Sequence, residues 1–186
     1  MENILINNLT EKINSGKIVS FPTETVYALS CDVNNIEAIE RIYKIKNRNR
    51  SKLLSIFINK ELLNNLVIYE CSFQSLIEKE LENGTTIIFN KKNNDVLNNI
   101  KSNTIGIRIP KHDFTRKMLK KLNKPIVATS VNLSGELPLC NYDDIVRNFG
   151  NEIDYIIDNK LIKSFINGKP SKIISVVDGE FKKIRS

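Results

Sequence analysis

Four short polar clusters in this chain carry side chains of the kind that bind anions and react with them. The first is the PTET turn at residues 22–25, which sets two hydroxyls beside a carboxylate. Residues 46–52 place four cations in seven positions, and Arg108 interrupts an otherwise apolar strand at 104–109. The fourth cluster, TSVNLSG at residues 129–135, offers hydroxyls, an amide and backbone N–H groups. Such donors commonly bind carboxylates and phosphates, so the clusters predict an anionic substrate.

Taken alone, the first three clusters also have a purely structural explanation. Turn-forming residues account for the first and an edge-strand arginine for the third. One or two cations stabilise a helix C-terminus by roughly 0.3–1 kcal/mol, but four exceed what that role needs. All four clusters fall at strand ends or in the loops that follow, where α/β sheets usually place ligands. Together they favour a binding site.

The scarcity of histidine and the spacing of the cysteines exclude several enzyme classes. The chain has one histidine, His112, and three widely spaced cysteines, Cys31, Cys71 and Cys140. They form no CxxC pair and no Cys/His zinc set, so the cysteines are expected to be structural. Nothing near His112 supports a Cys–His pair or a Ser–His–Asp triad. The GxxxxGK[ST] and GxGxxG phosphate motifs are also absent from the sequence.

Composition and charge indicate a soluble domain with an anionic partner. The 186 residues suit one domain, 1–186, and 41% hydrophobic with 26% charged residues is an ordinary globular composition. No apolar run is long enough to span a bilayer and no secretory signal is visible, so a cytoplasmic location without membrane contact is expected. The formal net charge of +7 suits a nucleotide or a nucleic acid. A lysine-rich solvated surface would account for that charge equally well.

Hydrophobic periodicity predicts the elements that hold these clusters. Helices are expected at 4–14, 34–46, 60–66, 72–82, 113–122 and 141–149, with Asn34 or Asn35 and Ser72 as N-terminal caps. Strands are expected at 17–21, 26–30, 53–58, 85–89, 104–109, 125–129, 154–157, 172–177 and 181–184. This pattern predicts an α/β (α+β) fold, with a twisted, mostly mixed β-sheet flanked by helices.

In this order, the clusters resemble the motifs of the YrdC/TsaC family of threonylcarbamoyl-AMP synthases, in its short, single-domain class. Residues 16–29 resemble the family's first strand and PTET turn, and residues 46–48 (KNR) match its KxR element. Residues 106–110 (GIRIP) match its GxRxP strand, and residues 129–135 match its TSxNxSG loop. The resemblance covers nearly the whole chain.

The sequence departs from the family pattern at a few positions. Asn47 and Asn49 stand where the family usually has Gly and Pro, and Ala28 replaces the Gly of its YGL motif. Phe57 stands where longer relatives have a threonine-binding His, as is typical of the short class.

The resemblance implies a YrdC-like fold with a large basic cavity, and a nucleotidyltransferase reaction. L-threonine, bicarbonate (or CO2) and ATP would give L-threonylcarbamoyl-adenylate and pyrophosphate. Partner proteins of the TsaD, TsaB and TsaE type would then transfer the threonylcarbamoyl group to adenosine 37 of tRNAs that read ANN codons. Mg2+ would accompany ATP on its phosphates, without a dedicated protein metal site or an organic cofactor.

The resemblance also implies roles for individual residues. The catalytic pair would be Lys46 and Arg48, which would hold carbamate and phosphate charge. The residues expected to bind threonine are Thr23, Arg108, Thr129 and Ser171, the last in a GKPS segment in which Lys172 replaces the family's Thr. The residues expected to bind ATP are Lys46, Arg48, Lys52, Ser130, Asn132, Ser134 and Arg185. Arg185 is followed by one residue, so it is expected to fray in the free protein.

Two other functions remain open at this stage. An RNA-binding module of the same fold, for double-stranded RNA or tRNA, would also suit the net charge of +7. However, only 7% of residues are aromatic, which argues against a base-stacking platform. Carbamoyl-adenylate chemistry, as in the YrdC-like domain of hydrogenase maturation proteins, belongs to much longer chains with acylphosphatase and zinc-finger segments. The preference for threonine over serine is not readable from the sequence.

Overall fold

The computed structural model describes residues 1–93, 95–162 and 166–186. Within these ranges it contains six α-helices: α1 (Glu2–Asn14), α2 (Ile36–Ile45), α3 (Leu63–Leu66), α4 (Gln74–Glu82), α5 (Asp113–Leu122) and α6 (Tyr142–Phe149). Short 3-10 turns lie at Lys60–Leu62, Cys71–Phe73, Asp95–Leu97 and Asn159–Ile162. The strands are β1 (Val19–Pro22), β2 (Tyr27–Asp32), β3 (Ser55–Phe57), β4 (Val67–Ile68), β5 (Thr86–Lys91), β6 (Thr104–Arg108), β7 (Ile126–Ser130), β8 (Tyr155–Ile156), β9 (Ile173–Val177) and β10 (Glu180–Arg185).

The ten strands form one mixed sheet, in the order β10-β9-β5-β6-β3-β7-β2-β1-β8, and β4 pairs with β5. The pairs β1/β8, β3/β6 and β5/β9 are parallel, and the other pairs are antiparallel. The predicted mixed sheet flanked by helices is therefore confirmed. Strands β6, β3, β7 and β2, which carry or flank three of the four polar clusters, are consecutive in the sheet.

Two hydrophobic layers cover the sheet. Successive residues of β7 alternate between them, because neighbouring side chains of a strand point to opposite faces. Val127 packs in the layer that contains Ile42 of α2, while Ile126 and Ala128 pack in the layer that contains Leu9 of α1. Each layer is closed by the apolar stripe of an amphipathic helix, as the periodicity predicts.

Most predicted elements are present, with two differences. Asn35 caps α2 by accepting a 2.9 Å hydrogen bond from Ala38 N, as expected. The predicted cap at Ser72 is wrong, because a 3-10 turn precedes α4 and the Ser72 hydroxyl donates to Glu70 instead. Strand β4 has only two residues, too short for an alternating pattern to reveal it.

The three cysteines are unpaired. Burial, with the charge of Asp32, raises the pKa of the Cys31 thiol to about 12, so it is protonated and unreactive at neutral pH. In the described ranges, no three His, Cys, Asp or Glu side chains are grouped so that they could hold a metal ion. Over the same ranges, the model contains no helix with the length and apolar character that a membrane span needs.

Candidate functional site

A cavity of about 410 Å³ opens over the middle of the sheet. It is bordered by the β1–β2 turn, the ends of β6 and β7, the 130–138 loop and the C-terminal strand β10. The polar and charged residues that line it are Thr23, Thr25, Tyr27, Arg48, Ser55, Thr86, Arg108, Thr129, Ser130, Asn132, Glu136, Ser171 and Arg185. Its charged lining consists of three arginines and one glutamate, so anions are the ligands it suits.

Small side chains on three adjacent strands leave room for this cavity. Ser55 of β3 lies in register with Gly106 of β6 on one side and with Ala128 of β7 on the other. A Cβ on Gly106 would lie 3.1 Å from Ser55 Oγ, tighter than ordinary contact. Larger residues in this row would fill the floor of the cavity.

Arg108, the last residue of β6, is buried in the cavity wall with only 6% of its surface exposed. Its Nη2 donates to Glu24 Oε1 at 2.7 Å and to Thr25 Oγ1 at 3.0 Å. The guanidinium carbon lies 5.6 Å from the ring centre of Phe57. Its Nε has no partner among the described residues. Both bonds come from Nη2, so Arg108 is held in place while Nε and Nη1 remain as donors without a partner among the described residues.

Glu24 fixes the position of Arg108 from the PTET turn. Its carboxylate also accepts backbone hydrogen bonds from Lys111 N at 3.0 Å and His112 N at 3.2 Å. Burial by itself raises the pKa of Glu24. The charge of Arg108 and the hydrogen bond from Lys111 N lower it by a larger amount, so the pKa of Glu24 lies below its usual value. Glu24 is therefore ionised at neutral pH and neutralises Arg108.

The hydroxyls of the PTET turn stabilise the turn itself. Thr23 Oγ1 donates to Val26 O at 2.7 Å, lies 2.9 Å from Thr25 Oγ1, and accepts from Thr25 N at 3.2 Å. Both threonines line the cavity. The turn thus presents its hydroxyls next to Arg108.

Lys46 ends α2 and is buried against the 130–132 loop. Its Nζ donates to Ser130 O at 2.5 Å, to Asn132 O at 2.9 Å and to Asn132 Oδ1 at 3.0 Å. Burial, with a smaller effect of the nearby Arg48 charge, lowers the pKa of Lys46 to about 8. Lys46 does not line the cavity. Its three donors connect the KNR turn to the TSVNLSG loop.

The KNR turn closes α2 with a Schellman motif. Asn47 N donates to Lys44 O and Arg48 N donates to Tyr43 O, both at 2.9 Å. Asn47 has a φ of +46°, in the left-handed region that Asn tolerates better than most residues. This explains how Asn replaces the family's Gly at this position.

Arg48 extends from this turn into the cavity lining. Its Nε donates to Lys52 O at 2.9 Å and its Nη2 donates to Leu53 O at 2.7 Å. These bonds hold the 48–53 loop and leave Nη1 as a further donor on the same guanidinium.

Asn132 organises the TSVNLSG loop. Its Oδ1 accepts from Ser130 Oγ at 2.6 Å, and its Nδ2 donates to Leu133 O at 2.7 Å and to Glu136 O at 2.9 Å. Ser134 N donates to Lys46 O at 2.8 Å, so the loop is also joined to the end of α2. The loop is fixed before any ligand binds.

The C-terminal strand brings Arg185 to the cavity. Its Nε and Nη2 donate to Ser171 O at 2.9 and 2.7 Å, and Ser171 Oγ lies 2.8 Å from Thr86 Oγ1. Arg185 pairs in register with Ile173 of β9. The expectation that Arg185 frays at the terminus is therefore wrong, because these bonds hold it.

Eight of the eleven predicted site residues line this one cavity: Thr23, Arg48, Arg108, Thr129, Ser130, Asn132, Ser171 and Arg185. Three do not. Lys46 contacts the loop behind the cavity, Lys52 is exposed, and Ser134 has a buried hydroxyl without a partner in the described part of the chain. Ser55 and Thr86 also line the cavity, but they lie within strands and belong to no motif, so no pattern in the sequence marks them.

The lining holds cations and hydrogen-bond donors, and the described lining residues include no Cys, His or Lys. Such a site can position anionic groups and stabilise charge that develops between them, which is a large part of catalysis in many transfer reactions. Fold and cavity together define an α/β protein with a preorganised anion site.

Comparison with known proteins identifies the family. The Sua5/YciO/YrdC family model, described as Telomere recombination, matches residues 11–186. A relative from Methanocaldococcus jannaschii is 32% identical over 178 residues, which are 95% of this chain and 83% of that protein. The chain belongs to the Sua5/YciO/YrdC family.

Two further relatives carry informative names. A Pseudoalteromonas translucida protein, 28% identical over 83% of this chain and 89% of its own length, is named threonylcarbamoyl-AMP synthase, a nucleotidyltransferase-type enzyme. The crystal structure of P. abyssi Sua5 complexed with L-threonine matches with a TM-score of 0.80 and 27% identity. That match covers 94% of this chain and 51% of Sua5, so the chain spans about half of the Sua5 length.

Proposed function

We propose that this chain is a threonylcarbamoyl-AMP synthase. It would convert L-threonine, bicarbonate (or CO2) and ATP into L-threonylcarbamoyl-adenylate and pyrophosphate. The observation that carries the proposal is the meeting of all four sequence motifs around one cavity, with arginines supplied by three of its walls. The L-threonine complex of P. abyssi Sua5 supports an amino-acid substrate.

The proposed chemistry needs no protein nucleophile. The threonine amine and bicarbonate give a carbamate and water. A carbamate oxygen then attacks the α-phosphorus of ATP, the bond from that phosphorus to the bridging oxygen breaks, and pyrophosphate leaves. Both steps bring together groups that carry negative charge, so cations that hold them side by side lower the barrier.

Arg108 is the proposed partner of the threonine carboxylate, since Nε is buried and unpaired while Glu24 and Thr25 fix the rest of the guanidinium. Thr23, Thr129 and Ser171 are the hydroxyl residues proposed to surround the amino acid. The proposal rests on their position in the same lining as Arg108.

The nucleotide end of the cavity would be formed by Arg48, Ser130, Asn132 and Arg185. We assign Lys46 a supporting role, because its three donors already bond the backbone and side chain of the 130–132 loop. Ser134 would act through the same loop, and Lys52 through the backbone carbonyl that holds Arg48.

Mg2+ is proposed to arrive with ATP. Glu136 is the one carboxylate among the described lining residues, which is too few for a protein metal cage. Mg2+ commonly uses one or two carboxylates together with substrate phosphates and water. The donor set therefore fits Mg2+ that is held mainly by the nucleotide.

Pyrophosphate release from ATP, measured with bicarbonate and with or without L-threonine, tests the proposal. Mass spectrometry should identify threonylcarbamoyl-AMP as a product that requires threonine. Arg108→Ala should lower kcat/KM about 10- to 100-fold, as expected for loss of a charge-assisted contact to substrate worth about 1.5–3 kcal/mol. Arg147→Ala is the matched control, because Arg147 is exposed on α6 and is absent from the cavity lining. Release that is independent of threonine in a folded protein would refute the proposal.

The wider role is part of the same proposal. The adenylate would be used in the cytoplasm by partner proteins of the TsaD, TsaB and TsaE type, which modify adenosine 37 of tRNAs that read ANN codons. A reconstituted assay with those proteins and such a tRNA would test this step, and unmodified tRNA would refute it.

RNA binding is a second candidate function because of the charge on α5. Residues 111–124 contain six cations and one anion, a net charge of +5, whereas the whole chain carries +7. Arg116, Lys117, Lys120 and Lys121 are exposed on the helix. Like charges four residues apart weaken a helix, so this stripe has a cost that an RNA backbone would remove.

Filter binding of double-stranded RNA or tRNA at several salt concentrations tests this candidate. Lys120→Ala/Lys121→Ala should weaken binding and reduce the slope of log K against log salt by about one to two. The control is Lys12→Ala/Lys182→Ala, which removes two exposed lysines elsewhere. Equal effects of the two variants would exclude α5 as an RNA site.

A further inference from the structure

A second cavity, also about 410 Å³, shares a wall with the candidate site. Thr25, Arg108, Pro170 and Ser171 line both cavities, so the wall between them is a single layer of residues. We call the second one the rear cavity. No predicted nucleotide residue lines it, since Arg48 and the 130–135 loop border only the first cavity.

The rear cavity is lined by cations that have little local compensation. Its described lining contains Arg108, Lys111, Lys169 and Lys172, but only one carboxylate, that of Glu24. Glu24 is already used by Arg108, and Lys172 pairs with Glu80 at 2.6 Å. Lys111 and Lys169 are exposed and have no ion pair within the described ranges.

Arg108 provides the second observation that points to a ligand. Its side chain is buried in the shared wall, and its Nε has no hydrogen-bond partner in the described structure. Besides the Nε proposed for the threonine carboxylate, the Arg108 guanidinium keeps its Nη1 donors, which have no hydrogen-bond partner among the described residues. Together with Lys111 and Lys169 these donors favour a small oxyanion, because an oxyanion accepts from the guanidinium and the lysines attract it.

The position of the rear cavity selects among the proposed substrates. It is lined by two of the residues proposed to hold threonine, Arg108 and Ser171, and by none of those proposed to hold ATP phosphates. Bicarbonate is the small oxyanion that must reach the threonine amine, where RNH2 and HCO3⁻ give RNHCOO⁻ and H2O.

On this basis, and resting on the proposed function, we propose that the rear cavity is the bicarbonate entry site. Lys111 and Lys169 attract the anion, and Arg108 in the shared wall receives it beside threonine. The first cavity then serves ATP, so the two anionic substrates enter from different sides.

Steady-state kinetics in degassed buffer with added bicarbonate tests this proposal. A unit charge about 7 Å from an anion in water changes its local concentration about threefold. Lys111→Ala/Lys169→Ala should therefore raise the apparent KM for bicarbonate about tenfold and leave the KM values for threonine and ATP within twofold. High salt should shrink this difference by screening. Lys111→Arg/Lys169→Arg, which keeps the charges, should retain the wild-type value.

The control Lys12→Ala/Lys182→Ala removes the same charge from surfaces outside both cavities. An unchanged bicarbonate KM in the rear-cavity variant, with an active wild type, would overturn the entry site and leave the synthase proposal intact. A parallel rise in all three KM values would also overturn it, because it would indicate general damage. A wild type that makes no adenylate would instead refute the proposed function on which this inference rests.

Discussion

The ion pair between Glu24 and Arg108 fixes the end of the cavity that we propose binds threonine, so its removal should have a large and specific effect. The Oε1–Nη2 distance is 2.7 Å, and the side chains are 22% and 7% exposed. Glu24→Gln removes the charge but keeps the side-chain length and one oxygen. Arg108 would then remain buried beside a neutral partner and the hydroxyl of Thr25.

The expected loss of stability follows from this burial. Removing one member of a buried pair costs about 3–5 kcal/mol, and the remaining Gln oxygen, which can still accept from the Lys111 N–H, favours the lower end. For a chain of this length, 1 kcal/mol corresponds to about 2–4 °C in Tm, so Glu24→Gln should lower Tm by about 6–12 °C. Glu2→Gln is the matched control, since Glu2 also lies 2.7 Å from a cation, Lys117, but both side chains are exposed. Exposed pairs contribute little, so its Tm should not change.

The pH dependence of the Glu24 contribution has a defined sign. Because the folded-state pKa of Glu24 lies below the ordinary value of 4.5, the unfolded chain takes up the proton first as the pH falls. The stabilisation is therefore present above about pH 4.5 and is lost as the pH falls through the folded-state pKa. Urea unfolding between pH 3 and pH 7 should show a weaker acid dependence for Glu24→Gln than for wild type.

Steady-state kinetics show whether Glu24 positions Arg108 for threonine or only stabilises the fold. A misplaced Arg108 weakens a charge-assisted contact worth about 1.5–3 kcal/mol, so the KM for threonine should rise at least about tenfold while the KM for ATP stays within twofold. If Glu24→Gln has the same Tm as Glu2→Gln and an unchanged KM for threonine, the ion pair does not hold Arg108 in its binding position. Equal increases in both KM values would also contradict this prediction, because only the threonine end should be affected.

Three shorter predictions concern other parts of the site. Asn47→Gly should keep or slightly raise stability in urea unfolding, whereas Asn47→Val should lower it by about 1–2 kcal/mol, because φ is positive there. Because the lowered pKa of Lys46 makes the folded chain lose this proton before the unfolded chain does, the free energy of unfolding should rise between about pH 8 and 10.5. Lys46→Met should remove this slope. A slope that persists in the variant would show that Lys46 is not its source. Ala128→Leu should fill the cavity floor, cost about 1–3 kcal/mol in urea unfolding and lower kcat/KM at least tenfold; normal activity would place the substrate elsewhere.

The sequence predicts helices and their N-terminal caps well where a single local pattern, such as helical spacing of apolar residues, has no competing interaction. Asp113–Leu122 is helical as expected because its apolar residues repeat at helical spacing, and Asn35 and Asn141 cap α2 and α6 through their side chains. The same reasoning failed at Ser72, where a tight turn competes for the hydroxyl. The motifs also identified most of the cavity lining, because three of them lie at the ends of strands and the KNR turn lies at the end of α2.

Contacts between distant segments could not be predicted. Lys46 looks like a free cation in the sequence, but its acceptors lie 84 and 86 residues away. Ser55, Gly106 and Ala128 form the cavity floor only because of strand order and register, which no local pattern encodes. Glu24 belongs to a recognised motif, but its partner is set by the approach of β6 to the turn.

Lys46 and Arg108 both belong to recognised motifs, but they differ in how many hydrogen-bond donors they have free for a ligand. Lys46 has three donors and three acceptors within 3.0 Å, so a ligand could bond to it only by displacing the loop. Arg108 has a buried donor without a partner in the described structure, which costs about 1–3 kcal/mol until an acceptor arrives. A carboxylate or bicarbonate that accepts from this donor would remove that cost, which favours anion binding at Arg108. We therefore infer that Arg108 contacts substrate and that Lys46 positions the loop beside it.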